Sequence, residues 1–159
     1  MTEPTSGSNN EGHTHLAVLA AFGVYAGAWL RAGRGRAGPT TSGAMSGVLL
    51  TGAATFRLSR LLSKAQITRP LRAPFTEVEE AGAPAELNET PKSSHPVLGS
   101  LLSCPFCLGV WVATTLTGAR RIWPREVETV EHALAAVATA DALHLLYARL
   151  VRAAEGDQE

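Results

Sequence analysis

The chain has little charge and no surplus of either sign. Lys and Arg together number 14, Asp and Glu also number 14, and these residues make up 18% of the 159-residue chain, whereas soluble domains usually carry about 25%. Because a neutral chain has no overall field to attract nucleic acid, we expect no nucleic-acid partner. The polar residues gather at the two ends and between about residues 64 and 96, so the remaining segments are strongly apolar.

Cysteine is also scarce, and basic residues are absent before the first apolar stretch. Cys104 and Cys107 are the only cysteines, and a pair three residues apart cannot join distant segments, which excludes a secreted disulfide scaffold. A cleavable signal peptide needs a basic region ahead of its apolar part. We therefore expect residues 14–32 to form a retained N-terminal membrane anchor that follows a disordered polar tail, residues 1–13.

The longest uncharged segment runs from residue 97 to 118, VLGSLLSCPFCLGVWVATTLTG. Its 22 residues meet the length and polarity test for a membrane-spanning helix. Further helices are predicted at about 44–62 and 132–151, and the Pro- and Glu-rich stretch before residue 97 predicts a long loop. The expected fold is an all-α, small multi-pass membrane bundle of three or four spanning helices, which ends in a second polar tail at 153–159.

Ionisable residues lie in or beside the apolar segments. An ionised group inside a membrane helix usually has a partner or lines a water-filled path, so we predict an ion pair between Asp141 and Arg57. His144 follows Asp141 by three residues and shares its helix face, which makes a proton relay the alternative to a structural pair. The basic cluster beside the second helix either binds anionic lipid head groups or only sets the membrane orientation. This cluster comprises Arg57, Arg60, Lys64, Arg69 and Arg72.

The Cys104-Pro105-Phe106-Cys107 motif has three interpretations. Pro105 suits the first turn of a helix, where a thiolate is favoured, so a thiol-disulfide oxidoreductase could use Cys104 as nucleophile and Cys107 as resolving thiol. A zinc site needs four ligands, which two chains could supply as a homodimer, with His95 as a further candidate. The apolar surroundings and the lack of a second cysteine pair favour the third interpretation, inert thiols packed at a helix kink. We therefore assign no catalytic residue and expect no cofactor.

Four segments together resemble a bacterial membrane protein family, domain of unknown function 1360, over about residues 46–152. They are ATFRLSRLL, ITRPLRAPFTEVEE, GSLLSCPFCLGVWVA and TADALHLLY. The resemblance implies a small integral protein of the bacterial inner membrane, linked to sporulation in some members and without an assigned chemical activity. The expected role is structural or partner-binding, and the expected partners are the lipid bilayer and either a second copy or another membrane protein.

Overall fold

The structure is a computed structural model and describes residues 6–35, 44–81 and 86–156. Most of these residues are helical, which confirms the predicted helical class, but a two-stranded sheet corrects the expectation of an all-α fold. In chain order the elements are α1 (Ser6–Ala32), α2 (Ala44–Lys64), a 3-10 turn (Gln66–Thr68), α3 (Arg69–Arg72), β1 (Thr76–Ala81), β2 (Leu87–Pro91), α4 (Pro96–Ser103), α5 (Pro105–Arg120) and α6 (Pro124–Gly156).

Two helices extend beyond the segments predicted for them. Helix α1 begins at Ser6, inside the tail expected to be disordered, and residues 1–5 lie outside the described part. Helix α6 begins at Pro124 and continues to Gly156, where a polar tail was expected; residues 157–159 lie outside the described part. Proline is well suited to a first helical turn because its missing N–H has no partner there anyway, which accounts for the early start of α6.

Among the described residues, the Pro- and Glu-rich stretch contains two paired strands, which corrects the prediction of a long loop. Strands β1 and β2 pair antiparallel from Thr76 opposite Pro91 to Ala81 opposite Leu87, with an irregularity between Val78 and Glu80. The prolines do not prevent this pairing, because Pro91 lies at the end of a two-stranded ribbon, where a missing ladder hydrogen bond is tolerated.

The predicted continuous helix over 97–118 is divided in two. Cys104 has φ −100° and ψ 109°, an extended conformation, and α4 and α5 are bent by 74° at this residue. The cause is Pro105, since the ring of a proline clashes with a helical conformation of the preceding residue. The pair α4–α5 is therefore a broken helix at the level of the Cys-Pro-Phe-Cys motif.

Helix α1 runs parallel to α5. Near its middle, the rings of Phe22 and Trp111 are 5.0 Å apart and the hydroxyl oxygens of Tyr25 and Thr115 are 2.6 Å apart. Further along both helices, Gly33 at the end of α1 lies against the side chain of Arg121.

Helix α2 runs antiparallel to α5 and parallel to α6. A Cβ on Gly109 of α5 would lie 3.9 Å from Thr55, whereas Arg120 at the other end of α5 approaches Gly47. Along α6, Thr51 contacts Glu131 and Arg57 contacts Asp141. The long helices thus alternate in direction along the chain. The C-terminal end of α2 shares one end of the bundle with α4 and the hairpin, which we call the hairpin end; the C-termini of α1 and α5 lie at the opposite end.

By length and composition, the described residues offer two membrane-spanning helices. These are His13–Ala32 and Pro124–Glu155, and the bent pair α4–α5 becomes a third if it forms one crossing. Helix α2 carries Arg57, Arg60 and Lys64 in its C-terminal half, which lowers its apolar character. Three or four spanning helices were predicted; two, or three with the bent pair, meet the criterion.

The polarity of the bundle is inverted relative to a water-soluble domain. Only four hydrophobic residues among those described are buried, namely Ala54, Val97, Val112 and Leu116, while 22 large hydrophobic side chains are exposed. Buried positions are instead shared by polar and charged residues, including Arg72, Glu89 and Glu131. Because exposed apolar patches of this extent are rare on soluble monomers, the exterior is suited to an apolar environment.

Candidate functional site

Helix α2 turns a row of hydroxyl side chains toward the bundle. Thr51, Thr55, Ser59 and Ser63 recur every four residues, so they share one helix face. Ser59 and Ser63 are buried and donate to carbonyl oxygens of their own helix, Ser63 to Ser59 at 2.7 Å and Ser59 to Phe56 at 3.1 Å. The four-residue period is visible in the sequence as a signal for a polar helix face.

Arg57 and Asp141 are brought together by the parallel packing of α2 and α6. An Arg57 nitrogen lies 2.8 Å from an Asp141 oxygen, and the two side chains are 26% and 42% exposed. The pair therefore lies at the edge of the bundle and not in its interior. His144 is exposed, and the described part of the chain shows no hydrogen bond or ion pair for it. The geometry supports a structural ion pair and supplies no second relay group.

Glu131 forms a second polar cluster, at the junction of α2, α5 and α6. Its side chain is completely buried, and its two carboxylate oxygens accept from Thr51 and from Arg120, each at 2.8 Å. Arg120 also lies 3.7 Å from Glu128. Buried carboxylates need such partners because an unpaired charge is strongly disfavoured in the interior. The sequence analysis missed this cluster, since Glu131 lies one residue ahead of the helix predicted from residue 132.

Arg72 forms the third cluster, which closes the hairpin end. Its side chain and that of Glu89 are each 1% exposed, and the two groups meet in a bidentate pair at 3.0 and 2.9 Å. The remaining guanidinium hydrogens are donated to the carbonyl oxygens of Leu62 and Ala65 and to the Thr68 hydroxyl. Arg72 therefore satisfies every donor while tying β2 to the C-terminal end of α2.

The electrostatics of this cluster favour the charged carboxylate. Burial raises the pKa of Glu89, but hydrogen bonds from Arg72 and Thr76 lower it by more, and the positive charge of Arg72 lowers it further. The Thr76 hydroxyl donates to the carboxylate at 2.6 Å. The net effect holds the pKa of Glu89 below its ordinary value. Beside it, Arg60 makes a second bidentate pair with Glu86, at 3.1 and 2.5 Å.

These pairs change the interpretation of the predicted lipid-headgroup cluster. Arg72 is excluded from it because its guanidinium is buried and fully hydrogen-bonded within the chain. Arg57 and Arg60 each have a carboxylate partner. Lys64 and Arg69 are the members of the set without an ion pair in the described part of the chain. Two glutamates of the predicted loop, Glu86 and Glu89, are thus the counterions of two members of the predicted cluster.

The cysteines lie at the break between α4 and α5. Cys104 caps the N-terminus of α5, and its sulfur accepts a hydrogen bond from the Cys107 amide at 3.2 Å. Both thiols are free; Cys104 is half-buried and Cys107 is exposed. The arrangement places two thiols at a helix N-terminus, as thiol-disulfide exchange requires, but it exposes the predicted resolving thiol more than the predicted nucleophile.

A metal site within one chain finds no support among the described residues, which contain no group of three or more His, Cys, Asp or Glu placed to hold an ion. His95 occupies the N-cap position of α4 without a side-chain capping hydrogen bond, and its ring packs edge-on against Phe75, 5.5 Å away between ring centroids. A zinc site shared by two copies therefore stays a hypothesis, which elemental analysis at about one zinc per two chains would test.

Aromatic residues join α1 to α5. Tyr25 lies 5.4 Å from Trp111, between ring centroids, and Trp29 covers Gly118, where a Cβ would approach the indole to 2.6 Å. A Cβ on Gly23 or Gly27 would meet no other atom within 4 Å. The described contacts of α1 therefore use Gly118 of α5 and not the G-x-x-x-G motif formed by Gly23 and Gly27.

Comparison with protein families gives one match. A family model described as "Protein of unknown function (DUF1360)" matches residues 50–147, which is more than half of the chain and agrees with the resemblance noted from the sequence. The matched region includes the three polar clusters and both cysteines, whereas α1 lies outside it. No curated protein and no solved structure matches the chain.

Proposed function

We propose that this chain, which belongs to the DUF1360 family, is a multi-pass protein of the bacterial inner membrane with a structural or partner-binding role. The observation that carries the proposal is the inverted polarity of the bundle, in which ionisable groups are paired inside and large apolar side chains face outward. In lipid this arrangement satisfies both requirements, since the apolar exterior needs no water and each buried charge has a partner. A link to sporulation is an expectation drawn from the family resemblance.

The alternating helix directions support four passes. If α1, α2, the bent pair α4–α5 and α6 each cross the bilayer, the N-terminal end of α1, the hairpin and the C-terminal end of α6 lie at the same membrane face. Helix α2 can take part because Arg57 is paired with Asp141 of α6 and Arg60 with Glu86 near β2. Long basic side chains near a helix end also reach the interface readily.

A structural role is supported by what the polar clusters do. Each cluster joins separate elements: Glu131 joins three helices, and Arg72 joins the hairpin to α2. The carboxylate and guanidinium groups of these clusters are hydrogen-bonded within the chain, so neither cluster offers a free acid or base. The outer face of α6, with Leu143, Leu146 and Leu150 exposed, is a surface available to lipid or to a partner helix.

Membrane fractionation tests this proposal. The full chain expressed in bacteria should sediment with membranes on ultracentrifugation, resist extraction by alkaline carbonate and dissolve in detergent. A peripheral protein would be released by carbonate, and a water-soluble one would remain in the first supernatant; either result would refute the proposed membrane insertion.

A thiol-disulfide oxidoreductase is the second candidate, favoured by the position of Cys104 at the N-terminus of α5. In that reaction the Cys104 thiolate attacks a disulfide of a partner protein and forms a mixed disulfide, releasing one partner thiolate. Cys107 then attacks the Cys104 sulfur, so that the chain ends with a Cys104–Cys107 disulfide and the partner with two thiols. Mixing the reduced protein with a disulfide-containing peptide should yield stoichiometric peptide thiol, and Cys107→Ser should trap the mixed disulfide; no thiol release would exclude this function.

A further inference from the structure

The end of the bundle opposite the hairpin carries basic residues without carboxylate partners. The four are Arg31, Arg34, Arg121 and Arg125. All are exposed, and none makes an ion pair with an acidic side chain in residues 6–35, 44–81 and 86–156. At the hairpin end, Arg57, Arg60 and Arg72 are each neutralised by a carboxylate. Other basic residues toward that end make no ion pair in the described part of the chain, among them Lys64, Arg69, Arg149 and Arg152. The described surface therefore presents four basic side chains without carboxylate partners at the end where α1 and α5 terminate.

A groove between α1 and α5 opens at this basic end. It has a volume of about 350 Å³, within the ~300–1,000 Å³ range of small-molecule sites. Ala26, Leu30 and Ala113 supply its apolar part, and Arg121 marks the basic end. The rest of the lining comprises Trp29, Gly118 and two hydroxyl residues of α5, Thr114 and Thr117. From Ala113 to Arg121 the groove follows eight residues of α5, about 12 Å at ~1.5 Å per residue. Its lining thus changes from apolar to cationic along the helix axis.

Two glycines form this groove by allowing close approach. A Cβ at Gly118 would lie 2.6 Å from the Trp29 indole, and a Cβ at Gly33 would lie 2.8 Å from Cδ of Arg121. Gly118 therefore lets Trp29 lie against α5, and Gly33 lets the stem of Arg121 lie across the end of α1. Indole rings are favoured at the level of lipid head groups, which places Arg121 at the depth of the phosphates.

We propose that this groove binds one anionic phospholipid, with an acyl chain against Ala26, Leu30 and Ala113 and the phosphate at Arg121. The inference rests on the proposed membrane location. Charge complementarity favours an anionic lipid, because Arg31, Arg34 and Arg125 add positive charge at the same end. Of the acids nearby, Glu131 and Glu128 both lie beside Arg120, while Glu126 borders a separate apolar cavity near Trp123.

Native mass spectrometry of the full chain in detergent tests the proposal with phosphatidylglycerol and phosphatidylcholine as probes. We expect one tightly bound phosphatidylglycerol and weaker binding of phosphatidylcholine. Arg121→Gln should weaken phosphatidylglycerol binding about fivefold, the factor that corresponds to one basic residue near an anionic membrane surface. Arg149→Gln, a matched exposed arginine near the hairpin end, should leave the affinity unchanged. Ala113→Phe, which fills the apolar part of the groove, should weaken both lipids.

Several outcomes would overturn the proposal. If the native chain bound the two lipids equally, charge would not determine the recognition. If Arg121→Gln and Arg149→Gln lost equal affinity for phosphatidylglycerol, the binding would not depend on this groove. Dimers that form without lipid and are abolished by Ala113→Phe would assign the groove to a second copy. If alkaline carbonate releases the protein from membranes, the proposed function itself is refuted. If the protein is inserted in the membrane but shows no lipid preference, only this inference is refuted.

Discussion

The substitution Glu89→Gln tests whether the buried pair at the hairpin end holds the fold together. Glutamine keeps the size of the side chain and removes its charge, so Arg72, which is 1% exposed, would remain as an uncompensated buried cation. Removing one partner of a buried pair costs about 3–5 kcal/mol, out of a total stability of about 5–15 kcal/mol. At about 2–4 °C per kcal/mol for a chain of this size, the melting temperature should fall by about 6–20 °C.

The assay is thermal unfolding of the detergent-solubilised protein, followed by circular dichroism, with Glu77→Gln as the matched control. Glu77 is an exposed glutamate in the same hairpin, and its substitution should change the melting temperature by less than about 2 °C, as surface changes usually do. A Glu89→Gln protein that melts like the control would refute the reasoning, because it would show that the Arg72–Glu89 pair does not contribute to stability.

The same pair should make the stability depend on pH in a defined direction. Because the pKa of Glu89 is held below its ordinary value, its stabilising effect is fully present above the unfolded pKa of about 4.3 and is lost as the pH falls through the lower folded value. Glu89→Gln should reduce the acid dependence of the melting temperature. An unchanged pH profile would contradict the assigned role of this carboxylate.

Three further predictions concern the other clusters. Gly118→Leu should displace Trp29 and lower stability by about 1–3 kcal/mol through overpacking, whereas Gly27→Leu, with no atom near its Cβ position, should be nearly neutral; equal melting temperatures would contradict the observed α1–α5 packing. Glu131→Leu should lower stability by about 1–3 kcal/mol, because Thr51 and the partly exposed Arg120 lose their buried acceptor. Denaturant unfolding would show this loss, and an unchanged stability would argue against the three-helix junction. In maleimide labelling, a Cys107→Ser protein should react faster than Cys104→Ser, since Cys104 lies at the N-cap of α5, where the reactive thiolate is favoured; the reverse order would show that the greater exposure of Cys107 outweighs the position of Cys104.

The parts of the fold that could be predicted are those governed by local sequence. The predicted 44–62 helix closely matches α2, because its apolar run is followed by a proline-containing segment that does not continue the helix. The Arg57–Asp141 contact could be proposed because few ionisable residues lie in the apolar segments, so each has few possible partners. The predicted helix 132–151 is shorter than α6, because Glu126, Glu128 and Glu131 lower the local hydropathy although the helix continues through them.

The parts that failed depend on contacts between distant residues. The glutamates of the hairpin have the composition of a solvated loop, and only the structure shows that Glu86 and Glu89 neutralise Arg60 and Arg72. The basic set therefore had the composition of a lipid-binding cluster, although three of its members, Arg57, Arg60 and Arg72, are paired with acids from other parts of the chain. Likewise, nothing local indicates that Arg120 and Thr51 converge on Glu131. Charge composition alone does not distinguish a solvated segment from one that supplies counterions.

The central claim is that the apolar exterior lies in lipid, with the hairpin and the end of α6 at one membrane face. Single cysteines introduced at Ser93, Glu155 and Arg125, after replacement of both native cysteines by alanine, can be labelled in intact spheroplasts and in inverted vesicles with a membrane-impermeant maleimide. If the bundle lies in the membrane in this way, positions 93 and 155 should react from the same side and position 125 from the opposite side. Labelling of all three positions from a single side would contradict this arrangement.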